Sequence, residues 1–229
     1  MTKKTENLLD EGKRLLNEGK AGEAIALFDQ LIEREPSNAE AYTERGNAFF
    51  CLQNWRYACR DYTVAVRLAP DSATLFFNLG VVSGLMEGYE TALKCYSRAV
   101  ELDPAYADAF YNRGVLYDAL GEYRKAIADF TRAIEIVPEM TAAWNNRGNA
   151  RIELADHAGA LSDFEEVLRL NPDRENAYGN RGYAREMLGD KVGAMADYNQ
   201  ALALNPNDTI ALANHARLIA EMPNEKPHE

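Results

Sequence analysis

Apolar residues recur along the chain with the spacing of paired amphipathic helices. In the stretch DAFYNRGVLYDAL, Phe110, Leu116, Tyr117 and Leu120 fall at helical intervals, and Gly121 supplies a C-terminal stop. YRKAIADFTRAIEI follows with Tyr123, Ile127, Phe130 and Ile134 on one stripe. Val137-Pro138 closes it, because proline disfavours a helical residue before it. The pattern repeats every 34 residues without an insertion: prolines at 36, 70, 104, 138, 172 and 206, and glycines at 12, 46, 80, 114, 148 and 182. Ala24, Ala58, Ala92, Ala126, Ala160 and Ala194 keep the same step, each followed four residues later by an aromatic: Phe28, Tyr62, Tyr96, Phe130, Phe164 and Tyr198. The units are 5–38, 39–72, 73–106, 107–140, 141–174 and 175–208, each a helix A and a helix B. A closing helix is expected over 209–222 and a frayed tail over 223–229. The small residues let the paired helices approach closely. A single unit cannot bury its apolar face, so stacking of neighbours into one elongated core over 1–229 is expected.

Composition narrows the class. The chain has 229 residues, 47% hydrophobic and 27% charged, which is a folded composition. No apolar run approaches the ~20 residues of a membrane helix, and the charged start MTKKTENLLDEGKRLL offers no secretory core. Twenty-five basic against 36 acidic residues give a net charge of −11, which argues against a nucleic-acid groove. Cys51, Cys59 and Cys95 are odd in number and irregularly spaced, so neither a disulfide framework nor a CxxC metal site is read, and a reducing cytoplasm is expected.

The series Phe110, Gly114, Tyr117, Gly121, Tyr123, Ala126, Phe130, Ala133, Pro138 resembles the tetratricopeptide repeat (TPR), and Phe76, Leu79, Gly80, Tyr89, Ala92, Tyr96, Ala99, Pro104 matches it nearly as well. The resemblance covers about nine-tenths of the chain. It implies an all-α, right-handed TPR superhelical solenoid of six helix-turn-helix repeats plus a C-terminal capping helix. The NRG triplets resemble those of bacterial TPR proteins. The first unit fits least well, with Leu8 and Leu15 at aromatic places.

Positions are numbered 1–34 within each unit. Position 7 is Arg45, Arg113, Arg147 and Arg181 in four units, and position 23 in those units is Asp61, Asp129, Asp163 and Asp197. Where position 7 is Leu79, position 23 is Cys95; where it is Glu11, position 23 is Leu27. Residues that come and go together predict an Arg–carboxylate pair between the two helices of one unit.

Position 6 is Asn78, Asn112, Asn146, Asn180 and, in the closing helix, Asn214. Asparagine is a mediocre helix former and capping does not explain it mid-helix. Position 6 lies about 200° around the helix from position 4 and from position 8, so it faces away from these expected core positions. The TPR resemblance implies that this face lines a concave groove. An amide offers donor and acceptor together and matches a peptide backbone. The row is similar to the groove asparagine array of the O-GlcNAc transferase TPR region, although the first two units have Asp10 and Glu44 at this place. A second reading is that each amide only fixes repeat stacking.

Along the same stripe Glu6, Asp10, Glu40 and Glu44 make an acidic end with Lys13 as its one base, and Phe77, Val81, Leu85, Tyr111 and Val115 make an apolar middle. Asn145, Asn149, Glu153, Tyr183, Glu186 and Met187 follow, then Arg217. An extended partner with basic and apolar side chains is expected, contacting the five ladder asparagines with Phe77, Tyr111, Glu44 and Asn149. Positions 2 and 5 carry no basic residue, so the carboxylate clamp of chaperone-binding TPR domains is missing. Arg151 and Arg185, at position 11, are expected to lay their stems on apolar surface and meet Glu153 and Glu186.

His157, His215 and His228 are scattered without metal-ligand spacing, and no phosphate loop or nucleophile elbow occurs. No enzyme, cofactor or metal is read. The expected function is a protein-interaction scaffold in the cytoplasm. The rivals are a self-associating assembly unit and a detached accessory of an enzyme such as a glycosyltransferase.

Overall fold

In the computed structural model, residues 3–221 are described. Thirteen α-helices and no strands occur among them. The A helices are α1 (Lys3–Asn17), α3 (Ala39–Cys51), α5 (Ala73–Leu85), α7 (Ala107–Ala119), α9 (Thr141–Glu153) and α11 (Glu175–Met187). The B helices are α2 (Ala21–Arg34), α4 (Trp55–Leu68), α6 (Tyr89–Leu102), α8 (Tyr123–Ile136), α10 (His157–Leu170) and α12 (Lys191–Leu204), and α13 (Thr209–Glu221) closes the series. His157 is thus the first residue of a helix rather than part of the preceding turn. The tail from 223 onward and Met222 lie outside the described residues.

The helices group into two compact units, Met1–Arg113 and Gly114–Glu229, with the boundary inside α7. In the first, α1 to α6 pack in sequence, each against the next; in the second, α8 to α13 do the same. The cores are built from small residues and one aromatic per repeat. Ala24, Ala58, Ala92, Ala126, Ala160 and Ala194 are fully buried, and Phe28, Tyr62, Tyr96, Phe130, Phe164 and Tyr198 are buried beside them. Each such ring contributes about 1.5–3 kcal/mol through removal from water. Position 8 must be glycine because the ring at position 24 occupies its side-chain space. A Cβ at Gly148 would lie 2.8 Å from the Phe164 ring, and one at Gly46 2.7 Å from the Tyr62 ring. The buried helix-A residue near the start is position 3 (Ala41, Leu75, Ala109, Ala143, Ala177), whereas the position-4 rings are half-buried. The expectation that position 4 forms the core is corrected accordingly: those rings cover the arginines three residues on.

Caps set the ends. Asn38 and Ser72 accept from the backbone N–H three residues on at the starts of α3 and α5, and Asp156 and Asp190 do the same for α10 and α12. The A–B turn requires a left-handed residue at position 15. Gly121 supplies it at φ 73°, but Gln53, Glu87 and Ala155 adopt φ 57–61° in their own units, at about 1 kcal/mol each.

α13 buries Ala211 and Leu218 and leaves Ile210, Leu212 and Ile219 exposed. The expectation of a helix that solvates the end of the array therefore needs amending, because the outer side of α13 is largely apolar.

Candidate interaction surface

Within each unit the position-7 arginine ties three helices together. Arg45 forks onto Asp61, Nε to Oδ2 at 2.6 Å and Nη2 to Oδ1 at 2.9 Å, and reaches back to Asp29 on α2. Arg147 does the same with Asp163 at 3.1 and 2.7 Å and donates to Thr131 on α8 at 3.0 Å. Arg181 grips Asp197 at 3.0 and 2.6 Å. Arg113 donates to Ser97 on α6 at 3.1 Å, and Asp129 is buried on α8. Each of these guanidiniums also lies over the ring three residues earlier: Tyr42, Phe110, Trp144 or Tyr178, 4.7–5.6 Å from its centroid. Burial opposes the charge on Arg45, but the bonds to Asp61 and Asp29 outweigh it and keep the group protonated. The reach to position 25 of the preceding repeat was missed in the sequence, although the polar run Asp29, Ser97, Thr131, Glu165 carries its signature.

Arg151 and Arg185 correct an expectation. Arg151 pairs with Asp163 at 2.7 Å and donates to the Gly159 carbonyl; Arg185 pairs with Asp197 at 2.8 Å. Neither meets Glu153 or Glu186 among the described contacts. Glu186 is instead buried on α11, accepting from the Tyr198 hydroxyl at 2.8 Å and held by both Nη atoms of Arg217 from α13. Burial, with the Glu186 charge adding, pushes the Tyr198 phenol well above its usual range. Where the arginine is absent, Leu79 and Cys95 pack in one apolar cluster, and burial foremost pushes the Cys95 thiol up to about 11.

The position-6 asparagines are all half-buried, and their surroundings differ. In the first unit Asn78 and Asn47 line a cavity of about 200 Å³ with Phe50, Tyr62, Phe77 and Val81. Asn47 is engaged by the protein: it accepts from the Tyr62 hydroxyl at 2.8 Å and donates to Glu44 at 3.1 Å. Asn112 donates to the Asp108 carbonyl of its own helix at 2.8 Å. Phe77 packs between Tyr96 and Tyr106, 5.8 and 5.0 Å between centroids, so it joins repeats as well as lining the cavity. Tyr111 is half-buried on α7. At the acidic end Lys13 bonds Glu40 at 2.5 Å, which raises its ammonium, with Glu44 and Asp10 adding. The Glu6 side chain lies outside the described residues.

In the second unit α9, α11 and α13 bring Asn149, Asn180 and Asn214 together around a cavity of about 340 Å³, completed by Ile152, Glu153, Tyr183 and Ile210. Asn180 Nδ2 donates to Asn149 Oδ1 at 3.0 Å, an amide bridge between consecutive repeats. Asn214 accepts weakly from Arg217 at 3.4 Å, and Asn146 accepts from Asn145 at 3.3 Å. Asn145 itself is buried with Oδ1 unpaired, as is His157 Nδ1, whose ring stands edge-on to Tyr183. Among the described residues no cluster of metal-ligating side chains occurs, and no helix is long and apolar enough to cross a membrane. What this surface offers is amide donors and acceptors beside apolar walls.

Sequence profiles of known families match this chain in three places. One described as tetratricopeptide repeat matches residues 9–73 and 145–209, more than half the chain; a second matches 107–140, and a TPR repeat profile matches 87–121. Among curated proteins, the small glutamine-rich tetratricopeptide repeat-containing protein of Dictyostelium discoideum is 29% identical over 75 residues. That match covers 33% of this chain and only 22% of the relative's length. Among solved structures, MamA superposes with TM-score 0.70 at 25% identity, covering 77% of this chain and 96% of its own. YrrB, described as a TPR protein with an unusual peptide-binding site, gives TM-score 0.76 at 23% identity over 82% of this chain and 97% of its own. PilF of Pseudomonas aeruginosa gives 0.76 at 16% identity over 93% and 97%. The all-α helix-turn-helix fold read from the repeats is the fold of these proteins.

Proposed function

The chain belongs to the tetratricopeptide repeat family, and on that premise we propose that it is a non-enzymatic scaffold that holds an extended peptide or partner segment against its A helices. The observation that carries this reading is the cavity in which Asn149, Asn180 and Asn214 converge from three successive A-type helices. Asn149 Nδ2 and Asn180 Oδ1 have no protein partner among the described contacts. A main-chain N–H and C=O satisfy such a donor and acceptor, whatever the side chains of the segment. Asn78, Asn112 and Asn146 extend the proposed contact set, with Phe77 and Tyr111 as apolar anchors and Glu44 for a basic side chain. A rigid, prebuilt surface lowers the entropic cost of ordering a flexible ligand. The Arg–Asp pairs at positions 7 and 23 are proposed to hold the two helices of a repeat in register and to touch no ligand.

The exposed Ile210, Leu212 and Ile219 of α13 favour a second reading, self-association through that helix. Affinity capture from the native lysate separates the two when the wild type runs beside Asn112→Ala/Asn146→Ala/Asn180→Ala, with folding of both verified by circular dichroism. The groove reading expects a partner that the wild type retains and the triple variant loses. Identical captures from both, together with a mass that rises with concentration in light scattering, would favour self-association.

A further inference from the structure

We propose that the cavity among Asn149, Ile152, Glu153, Asn180, Tyr183 and Ile210 is a specificity pocket for a lysine or arginine side chain of the bound segment. This rests on the groove reading above and adds the chemical class of the residue that the groove selects.

Three features of the cavity lead there. Its walls are mixed: Ile152 from α9, Ile210 from α13 and the Tyr183 ring give apolar surface for a methylene stem, which long basic side chains bury readily while their heads stay polar. Its amides sit at the same place, so a main chain anchored on Asn149 and Asn180 delivers a side chain directly into it. Its charge is uncompensated. Glu153 is exposed on the lining and pairs with no cation among the described residues. Asp118, its electrostatic neighbour on α7, is also without one, and its carboxyl is raised by burial and by the charge of Glu153.

Other acids of this unit's inner helices are treated differently. Asp163 has Arg147 and Arg151, Asp197 has Arg181 and Arg185, and Glu186 has Arg217. The protein supplies its own cations generously nearby and leaves Glu153 and Asp118 facing each other unneutralised. A cationic head from a ligand relieves that repulsion. An aliphatic side chain of equal length leaves it in place, and an acidic one adds to it. The counterpart cavity in the first unit has Phe50, Phe77 and Val81 in its walls, and Glu44, the acid nearest it, is bonded to Asn47, so the cationic preference belongs to the second.

Positional-scanning libraries of blocked octapeptides, selected on the full chain and read by mass spectrometry, test this with lysine, arginine, norleucine and glutamate compared at each position. The expected result is one position where lysine and arginine are enriched about fivefold over norleucine, the strength of a partly exposed ion pair. The preference is expected to shrink with added salt, to vanish in Glu153→Gln and to turn toward glutamate in Glu153→Lys, both variants folded by circular dichroism. Peptides retained through the asparagines with no cationic preference would overturn the pocket and leave the groove reading standing. A cationic preference unchanged in Glu153→Gln/Asp118→Asn would overturn it as well. No retention of any peptide would overturn the groove reading, and the pocket with it.

Discussion

Gly179 and Gly182 stand three residues apart on α11 and face opposite circumstances. A side chain at Gly179 would meet nothing within 4 Å, whereas one at Gly182 would lie 2.8 Å from the buried Tyr198 ring. Gly179→Ala should therefore stabilise the protein by up to about 1 kcal/mol through helix propensity alone, and Gly182→Ala should destabilise it by about 1–2 kcal/mol once overpacking exceeds the same gain. Urea unfolding of the two variants gives the signs, and equal shifts would contradict the packing account. At this scale the sequence was informative wherever a residue recurs in step with another, as the glycine does with the aromatic 16 places on. It was silent on where a long side chain turns. The partners of Arg151 and Arg185 were misjudged because spacing along one helix identifies a face, while a guanidinium reaches across to whichever buried carboxylate, here Asp163 or Asp197, gains most from a second cation.

Between elements, the position-7 arginine is the tie that a pattern of apolar residues could not announce. Arg45 joins α3 to α4 through Asp61 and to α2 through Asp29, and the third repeat replaces the whole arrangement by Leu79 and Cys95 in apolar contact. Removing one partner of a buried pair leaves a stranded charge, while replacing both by apolar groups need not. Asp61→Cys should cost about 3 kcal/mol, and Arg45→Leu/Asp61→Cys, which copies the third repeat, should cost less than the sum of its two single changes by more than 1 kcal/mol. Additive costs in a double-mutant cycle would show that the pair contributes nothing as a pair. Helix boundaries were legible to within a residue or two, because glycine, proline and the caps Asn38, Ser72, Asp156 and Asp190 mark them. The outer side of α13 was not, since its repeat-like spacing suggested a polar end while Ile210 and Ile219 occupy it.

Across the whole molecule, the fold was legible because the same 34-residue solution is written six times, so accidents in one repeat are averaged out by the others. The candidate site was legible only as a row of positions. Asn78 to Asn214 keep perfect register in the chain, yet Asn112 donates to its own helix and Asn180 to Asn149. Register fixes the face an amide occupies, and the local competition for its donor and acceptor decides what it can still offer. The central claim is that the amides of the second unit hold a ligand's main chain. The most direct measurement is a titration of ¹⁵N-labelled protein with the best octapeptide from the library selection, followed through the side-chain NH₂ signals. Signals of Asn149, Asn180 and Asn214 should move to saturation together while that of Asn171, in the α10–α11 turn, stays put. Saturable binding that leaves those three unmoved would mean that the amides serve repeat stacking alone and that the ligand sits elsewhere.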